Sequence, residues 1–332
     1  MILNGMTTIR AALAGISLVF AAPALAQSTL TFATTLPEAN PLVVQVFAPW
    51  IAALNERGAG VLQVNLINGP TIADHSNVYE RVSNGIVDMG WAILGSVRVP
   101  FPRTDVVGLP FLAPDPVSAS AALWGLYREG LLQGDFDNIG LVALVALPSA
   151  GLHTNRPVTA QADLAGMRLR ASDRLSSALL TALGATPVSI STADAYQAVE
   201  TGVLDGVYTG WAGTVLFRLE EVTDQHLDED IGSGAGGIFV NADVYAGLDA
   251  AAQALLDEAG AQLVSDLAAW YVRMDGVFRD RVAATGDTVN RLSPEELAHW
   301  QALAEPIIAN WVAETPDGAA ILARFRDLQA AN

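Results

Sequence analysis

Residues 250–284 form one helical pattern with no proline in it. At 1.5 Å per residue such a run is about 50 Å long, enough to cross two domains. The rest of the chain must therefore supply two packed units for this helix to join. A length of 332 residues agrees with that, since about 150 residues make one domain with its own core.

Upstream of the long helix, strand and helix patterns alternate. Residues 29–35 alternate as a strand, Pro37 and Pro41 break it, and an apolar-periodic helix runs to about Glu56. A second β-rich run, 61–67, ends at the turn Asn68-Gly69-Pro70. Residues 76–84 read as a helix stopped by Gly85, followed by a short strand over 86–91. Strands at 140–146, 167–171 and 203–208 interleave with helices at 175–183 and 193–201. That order predicts α/β layers with largely parallel sheets. A last helix opens at Ser293-Pro294-Glu295-Glu296, which reads as a complete capping box with Pro at the first helical position.

Composition narrows the function. There are 17 basic residues, all Arg, against 35 acidic ones, for a net charge of −18. Nucleic acid and anionic membrane surfaces call for the opposite sign. With no Cys, disulfides, thiolate metal sites and Cys nucleophiles are excluded. Four His (His75, His153, His226 and His299) leave little for an imidazole metal site. Residues 1–26 read as a signal peptide: one Arg, an apolar stretch over 11–22, then Ala24-Leu25-Ala26 before Gln27. Beyond it no apolar run is long enough to span a bilayer. Export without an anchor predicts the periplasm.

Few motifs suggest catalysis. Gly232-Ser233-Gly234-Ala235-Gly236-Gly237 matches a dinucleotide fingerprint in letters, but an acidic run precedes it and a strand follows. It reads as a flexible connector where the chain crosses between domains. Glu220, Glu221, Asp224, His226, Asp228, Glu229 and Asp230 cluster without calcium-loop spacing and read as a solvated face. Ser149 lies in half of a nucleophile elbow, lacking the first Gly. Arg168 and Arg170, in an otherwise apolar strand, are costly to bury unpaired. They suit either a structural ion pair or a bidentate grip on a ligand carboxylate. One internal echo stands out. Tyr79, Val82, Gly85 and Asp88 repeat the spacing of Tyr196, Val199, Gly202 and Asp205, with Trp91 and Tyr208 each three residues past the Asp. Either a common helix–Gly–strand connection has recurred, or two similar lobes present strand ends to a shared cleft.

An ordered set of motifs then resembles the substrate-binding proteins of TRAP transporters, DctP type. It comprises Asn84-Gly85-Ile86-Val87-Asp88, Leu109-Pro110-Phe111 and Thr154-Asn155-Arg156-Pro157-Val158. It continues with Leu164-Ala165-Gly166-Met167-Arg168-Leu169-Arg170, Leu183-Gly184-Ala185-Thr186-Pro187, and Tyr196 through Gly202-Val203-Leu204-Asp205-Gly206. The resemblance spans about 30–328. It implies an α/β, two-lobe periplasmic binding protein fold (type II-like), with a long helix spanning both lobes and a hinge that closes on one small organic acid. Lobe I would comprise 27–147 and 236–274, and lobe II 148–235 and 275–328.

The same resemblance implies ligand-binding residues. Arg170 would bridge the ligand carboxylate, with Arg168 at the variable position. Thr209 stands where the family usually carries an Asn donor. Trp91 and Trp211 would form aromatic walls, and Thr35, His75 and Thr192 would face the cleft. Ala150 replaces an Arg common in the family, so an acidic-sugar ligand that depends on that Arg is not implied. The expected function is an extracytoplasmic solute receptor, not an enzyme. It needs no cofactor or metal and delivers a small organic carboxylate to TRAP transporter permease subunits. A secreted hydrolase using Ser149 or a carboxylate pair, or a sensing module that docks on a membrane receptor, are the alternatives.

Overall fold

The fold is taken from a computed structural model that describes residues 27–74 and 76–332. The expected signal peptide and His75 lie outside the described residues.

The strands are β1 (Ser28–Thr34), β2 (Leu62–Asn68), β3 (Met89–Ile93), β4 (Ile139–Ala146), β5 (Ala150–Thr154), β6 (Arg168–Ala171), β7 (Thr186–Ser189), β8 (Gly206–Thr209), β9 (Gln225–Gly232), β10 (Ala235–Asn241) and β11 (Thr288–Asn290). They form two sheets, ordered β2-β1-β3-β10-β4 and β11-β9-β5-β8-β6-β7. The expected parallel character holds for β1 with β2 and β3, β6 with β7 and β8, and β9 with β11. It fails where β10 runs antiparallel to β3 and β4, and β5 antiparallel to β8 and β9. Strands β5 and β10 each begin just after a short passage of the chain from one sheet to the other, at residues 147–149 and 233–234. Both crossings are too short to hold the helix that a parallel connection needs.

The crossings lie side by side and are laced together. Leu147 N donates to Gly234 O at 2.9 Å. Ser233 Oγ donates to Leu147 O at 2.7 Å, and Ser149 Oγ to Gly232 O at 2.9 Å.

The helices are α1 (Ala48–Arg57), α2 (Val78–Ser83), α3 (Pro116–Arg128), α4 (Arg174–Ala182), α5 (Thr192–Glu200), α6 (Trp211–Leu216), α7 (Ala242–Gly247), α8 (Ala250–Ala283), α9 (Pro294–Glu314) and α10 (Gly318–Ala330). The long helix is α8, whose N-terminus is capped by Asp249, which accepts from Ala252 N at 2.8 Å. It packs on α1, α3 and β4 on the first-sheet side and on α6 on the second. Gly260 lets it lie directly on β4, because a Cβ there would run into the Val142 carbonyl. Trp50 Nε1 donates to Ala259 O at 2.9 Å, fixing α1 against α8.

Two terminal features depart from expectation. The last helix start is half a capping box. Ser293 Oγ accepts from Glu296 N at 3.1 Å, but the Glu296 carboxylate accepts from Gln161 N at 3.0 Å instead of turning back. The carboxylate thereby ties α9 to the second sheet's periphery. Helix α10, expected with lobe II, packs on α3 of the first sheet. Gly125 on α3 leaves room for the Leu328 side chain, and Arg324 forms a forked pair with Glu129 at 2.8 and 2.6 Å.

Candidate functional site

The sequence echo is a structural device used twice. Gly85 and Gly202 take positive φ (67° and 71°) after α2 and α5, a conformation open to Gly without a Cβ penalty. The Asp that follows each one grips the backbone of the neighbouring parallel strand. Asp88 Oδ2 accepts from Thr31 N at 2.7 Å and Thr31 Oγ1 at 2.8 Å. Asp205 Oδ2 accepts from Arg168 N at 2.7 Å. Each Asp thus locks the start of a strand, β3 or β8, and three residues on the strand delivers an aromatic ring. Trp91 and Tyr208 both line one cleft between the sheets.

That cleft encloses about 910 Å³, counting its open mouth. Its walls are mostly apolar, with Leu36, Leu42, Ile93, Leu147 and Leu216 among them. The glycine-rich run is its floor, not a flexible connector. Gly232 ends β9, and Ala235 and Gly236 already belong to β10. A Cβ on Gly236 would strike the Trp91 ring, and one on Gly232 would strike the Tyr208 hydroxyl. The glycines are there because two aromatic side chains press on the backbone.

Arg170 projects into this cleft from β6 and is 3 % exposed. Nε donates to Ile190 O at 3.1 Å, and Nη1 to Ser172 Oγ at 2.8 Å and Tyr208 O at 3.3 Å. Among the described residues no carboxylate oxygen comes within 4.0 Å of it. Burial pulls its pKa down to about 10, with Asp173 and Tyr208 opposing the shift, so it stays cationic at neutral pH. Asp173 lines the cleft too, but its Oδ1 is committed to Ser176 N at 2.8 Å as the cap of α4. Burial pushes the Asp173 carboxyl above its ordinary range.

Arg168, two residues earlier, has the other fate open to this pair. Its Nε and Nη2 fork onto Asp205 at 3.1 and 3.0 Å, and Nη2 also reaches Gly202 O at 2.9 Å. That fork holds Asp205 below the usual carboxylate range. Two residues apart, the side chains share one face of β6, and position along the strand separates their roles: Arg168, at its start, is half-exposed and pairs with Asp205, while Arg170 lies deeper and lines the cleft.

Thr209 and Thr192 also line the cleft. Thr209 sits close over Gly213, where a Cβ would meet its Oγ1. Thr35 is buried and is not part of the cleft lining. Trp211 is turned away from the cleft, contrary to the expected second aromatic wall. It opens α6, and the helical turn sends Ala212, Gly213 and Leu216 toward the cleft instead. Its ring packs on His153 and His226, with centroids at 4.8 and 5.3 Å, and Nε1 donates to Asp228 at 2.9 Å. There it lines a neighbouring open pocket with Asp228, Glu229, Asp230 and Asp275.

The two histidines beneath Trp211 are structural. Their Nδ1 atoms lie 2.8 Å apart. His153 Nε2 lies 3.2 Å from Thr209 O and must donate to that carbonyl, so its Nδ1 accepts and His226 donates. Burial and the neighbouring His226 hold His153 down at about 3. Ser149 has no imidazole partner, since its hydroxyl donates to Gly232 O. The acidic run on β9 is not a solvated face throughout. Asp228 is largely buried and pairs with Arg291 at 2.7 Å and Arg279 at 3.5 Å.

Tyr208, Leu42, Leu216 and Ser96 line the cleft and were not among the expected ligand-binding residues. For Tyr208 a signal existed, its equivalence to Trp91 in the echo. Leu42, Leu216 and Ser96 carry no mark that separates them from ordinary core or loop residues.

Comparison with known proteins gives the setting. A family model described as bacterial extracellular solute-binding protein, family 7 (DctP), matches residues 32–315. The protein y4mM of Sinorhizobium fredii is 28 % identical over 227 residues, covering 65 % of this chain and 42 % of that protein. This chain therefore spans less than half the length of that relative. Among solved structures, a marine metagenome TRAP solute binding protein specific for aromatic acid ligands, in complex with 3-hydroxybenzoate, superposes with a TM-score of 0.85. It is 22 % identical, and the match covers 92 % of this chain and 99 % of that one. DctP7 of Bordetella pertussis, an extracytoplasmic solute receptor binding pyroglutamic acid, gives a TM-score of 0.82 at 25 % identity. That match covers 90 % of this chain and 99 % of the receptor.

Proposed function

The chain belongs to the bacterial extracellular solute-binding proteins of family 7, and from that premise we propose that it is a periplasmic receptor that binds a small organic carboxylate in the Arg170 cleft and delivers it to a TRAP-type permease. One observation carries the ligand class. Arg170 is a buried cation in an apolar cleft, and no protein carboxylate within 4.0 Å among the described residues neutralises it. Such a charge is costly to desolvate unless an anion completes it. A ligand carboxylate supplies that anion and accepts two parallel hydrogen bonds from the guanidinium.

The other roles follow from position. Trp91 offers an apolar face, Thr209 a hydroxyl beside the clamp, and Thr192 a hydroxyl at the start of α5. Thr35 and Trp211 support the walls from behind. Lobe I is built on the first sheet and lobe II on the second. The laced crossings at 147–149 and 233–234 are the hinge about which they close. The pyroglutamic acid bound by the Bordetella receptor is likewise a compact carboxylate, which favours this reading. Catalysis by Ser149 is disfavoured, because its hydroxyl donates to a backbone carbonyl and the group beside it is the Asp230 carboxylate, not an imidazole.

The test is a thermal-shift screen of organic acids run beside ester and glycoside turnover assays. A true ligand at about 100 times its Kd stabilises by roughly 2.7 kcal/mol, a shift of several degrees. Stabilisation by carboxylates without turnover is the expected result. Turnover that disappears in Ser149→Ala would replace the receptor reading with a hydrolase.

A further inference from the structure

Resting on the receptor reading above, we infer that Tyr208 is a specificity-determining residue and that the cleft selects a monocarboxylate with a flat apolar body over a dicarboxylate. The charge balance of the cleft comes first. Its charged lining residues are Arg170 and Asp173. One cation can complete one carboxylate. A second carboxylate would meet apolar wall or the Asp173 side chain, and a buried anion without a partner is strongly disfavoured. At position 150, on β5 and in the lining, there is only the methyl group of Ala150.

Tyr208 supplies what a second cation does not. Its backbone carbonyl accepts from Arg170 Nη1 at 3.3 Å, so ring and clamp are placed by the same strand end. The residue is 3 % exposed. Its hydroxyl makes no hydrogen bond within the protein among the described residues, yet it is not among the sealed-off polar atoms. Tyr208 lines the cleft, and its oxygen sits in the gap that Gly232 leaves by having no side chain. Burial drives the phenol pKa far above its ordinary value, so it remains a neutral donor across physiological pH. Buried hydroxyls in native proteins are normally satisfied. A ligand oxygen next to the guanidinium would satisfy this one. In the same lining, the flat Trp91 ring with Leu42 and Leu216 favours a ring or a branched chain over an extended polar one.

Isothermal titration of wild type, Tyr208→Phe and Arg170→Ala with benzoate, 3-hydroxybenzoate, succinate and malate tests this. Tyr208→Phe keeps the ring volume, and a melting curve checks that it folds. In wild type, the better benzoate should bind at least tenfold more tightly than either dicarboxylate. Tyr208→Phe should weaken it roughly tenfold, the size of one hydrogen bond to a charged group. Tyr208→Phe binding as wild type overturns the specificity role. Succinate or malate matching the benzoates, or none of the four binding at millimolar concentration, overturns the ligand class. Where succinate binds and Arg170→Ala abolishes it, the receptor reading survives without the monocarboxylate preference. Where Arg170→Ala binds any of the acids as tightly as wild type, the clamp itself is wrong.

Discussion

At the scale of single residues, two arginines in one short strand part company. From chemistry alone Arg168 and Arg170 were equally suited to an ion pair or a ligand. Only the resemblance favoured Arg170. The deciding group for Arg168 is Asp205, 37 residues away, a distance that residue spacing does not encode. Trp211 was misplaced for a related reason. A Trp at a strand-to-helix junction can turn to either side, and here the His153–His226 pair and Asp228 claim its ring and Nε1. The glycine run was misread because its cause, two aromatic side chains from β3 and β8, comes from elsewhere in the chain. A fluorescence experiment separates the two tryptophans. Ligand should change the emission of wild type and of Trp211→Phe, while Trp91→Phe should lose most of the change. Retention of the full change in Trp91→Phe would remove Trp91 from the ligand wall.

At the scale of elements, the strands and helices read from periodicity fell within a few residues of their observed positions, whereas α3, β5, β7, α6, β9 and β11 were not read as elements at all. The direction of pairing was less legible. The antiparallel strands β5 and β10 follow from two short crossings, which look like ordinary loops in the sequence. A pH effect belongs to this scale, because it arises where the 3₁₀ turn Thr104–Gly108 meets the cap of α4. Burial holds Asp105 up at about 7, with Asp173 and Asp135 pushing the same way and Arg174 opposing. An acid raised from 3.8 contributes stability that is complete below about pH 3.8 and is lost as pH rises through about 7. His153 works in the opposite sense. Its share is present above about 6.5 and is lost as pH falls toward 3. Asp105→Asn should therefore melt higher than wild type at pH 8 and flatten the gain seen on acidifying to pH 6. Melting curves at pH 6, 7 and 8 check this; an unchanged pH slope in Asp105→Asn would mean that Asp105 is ionised throughout.

At the scale of the whole molecule, one long helix joins two sheets with a cleft between them. Helix α8 was the feature most legible in the sequence. The cleft was legible only as a consequence of two lobes, with its lining drawn from strand ends far apart in the chain. In the proposed receptor, Arg170 holds a ligand carboxylate as these lobes close. Removing one partner of a buried charged pair costs about 2–5 kcal/mol, which is roughly 30- to several-thousand-fold in Kd. The direct measurement is calorimetric titration of wild type, Arg168→Ala, Arg170→Lys and Arg170→Ala with one acid confirmed by the thermal screen, each variant first shown to be folded. Arg170→Ala should lose at least 30-fold, and Arg170→Lys should keep part of the affinity, having charge but no fork. Arg168→Ala should bind nearly as wild type, since its half-exposed side chain is engaged with Asp205 and lies outside the cleft lining. Binding by Arg170→Ala within about threefold of wild type, under ~0.7 kcal/mol, would contradict the account.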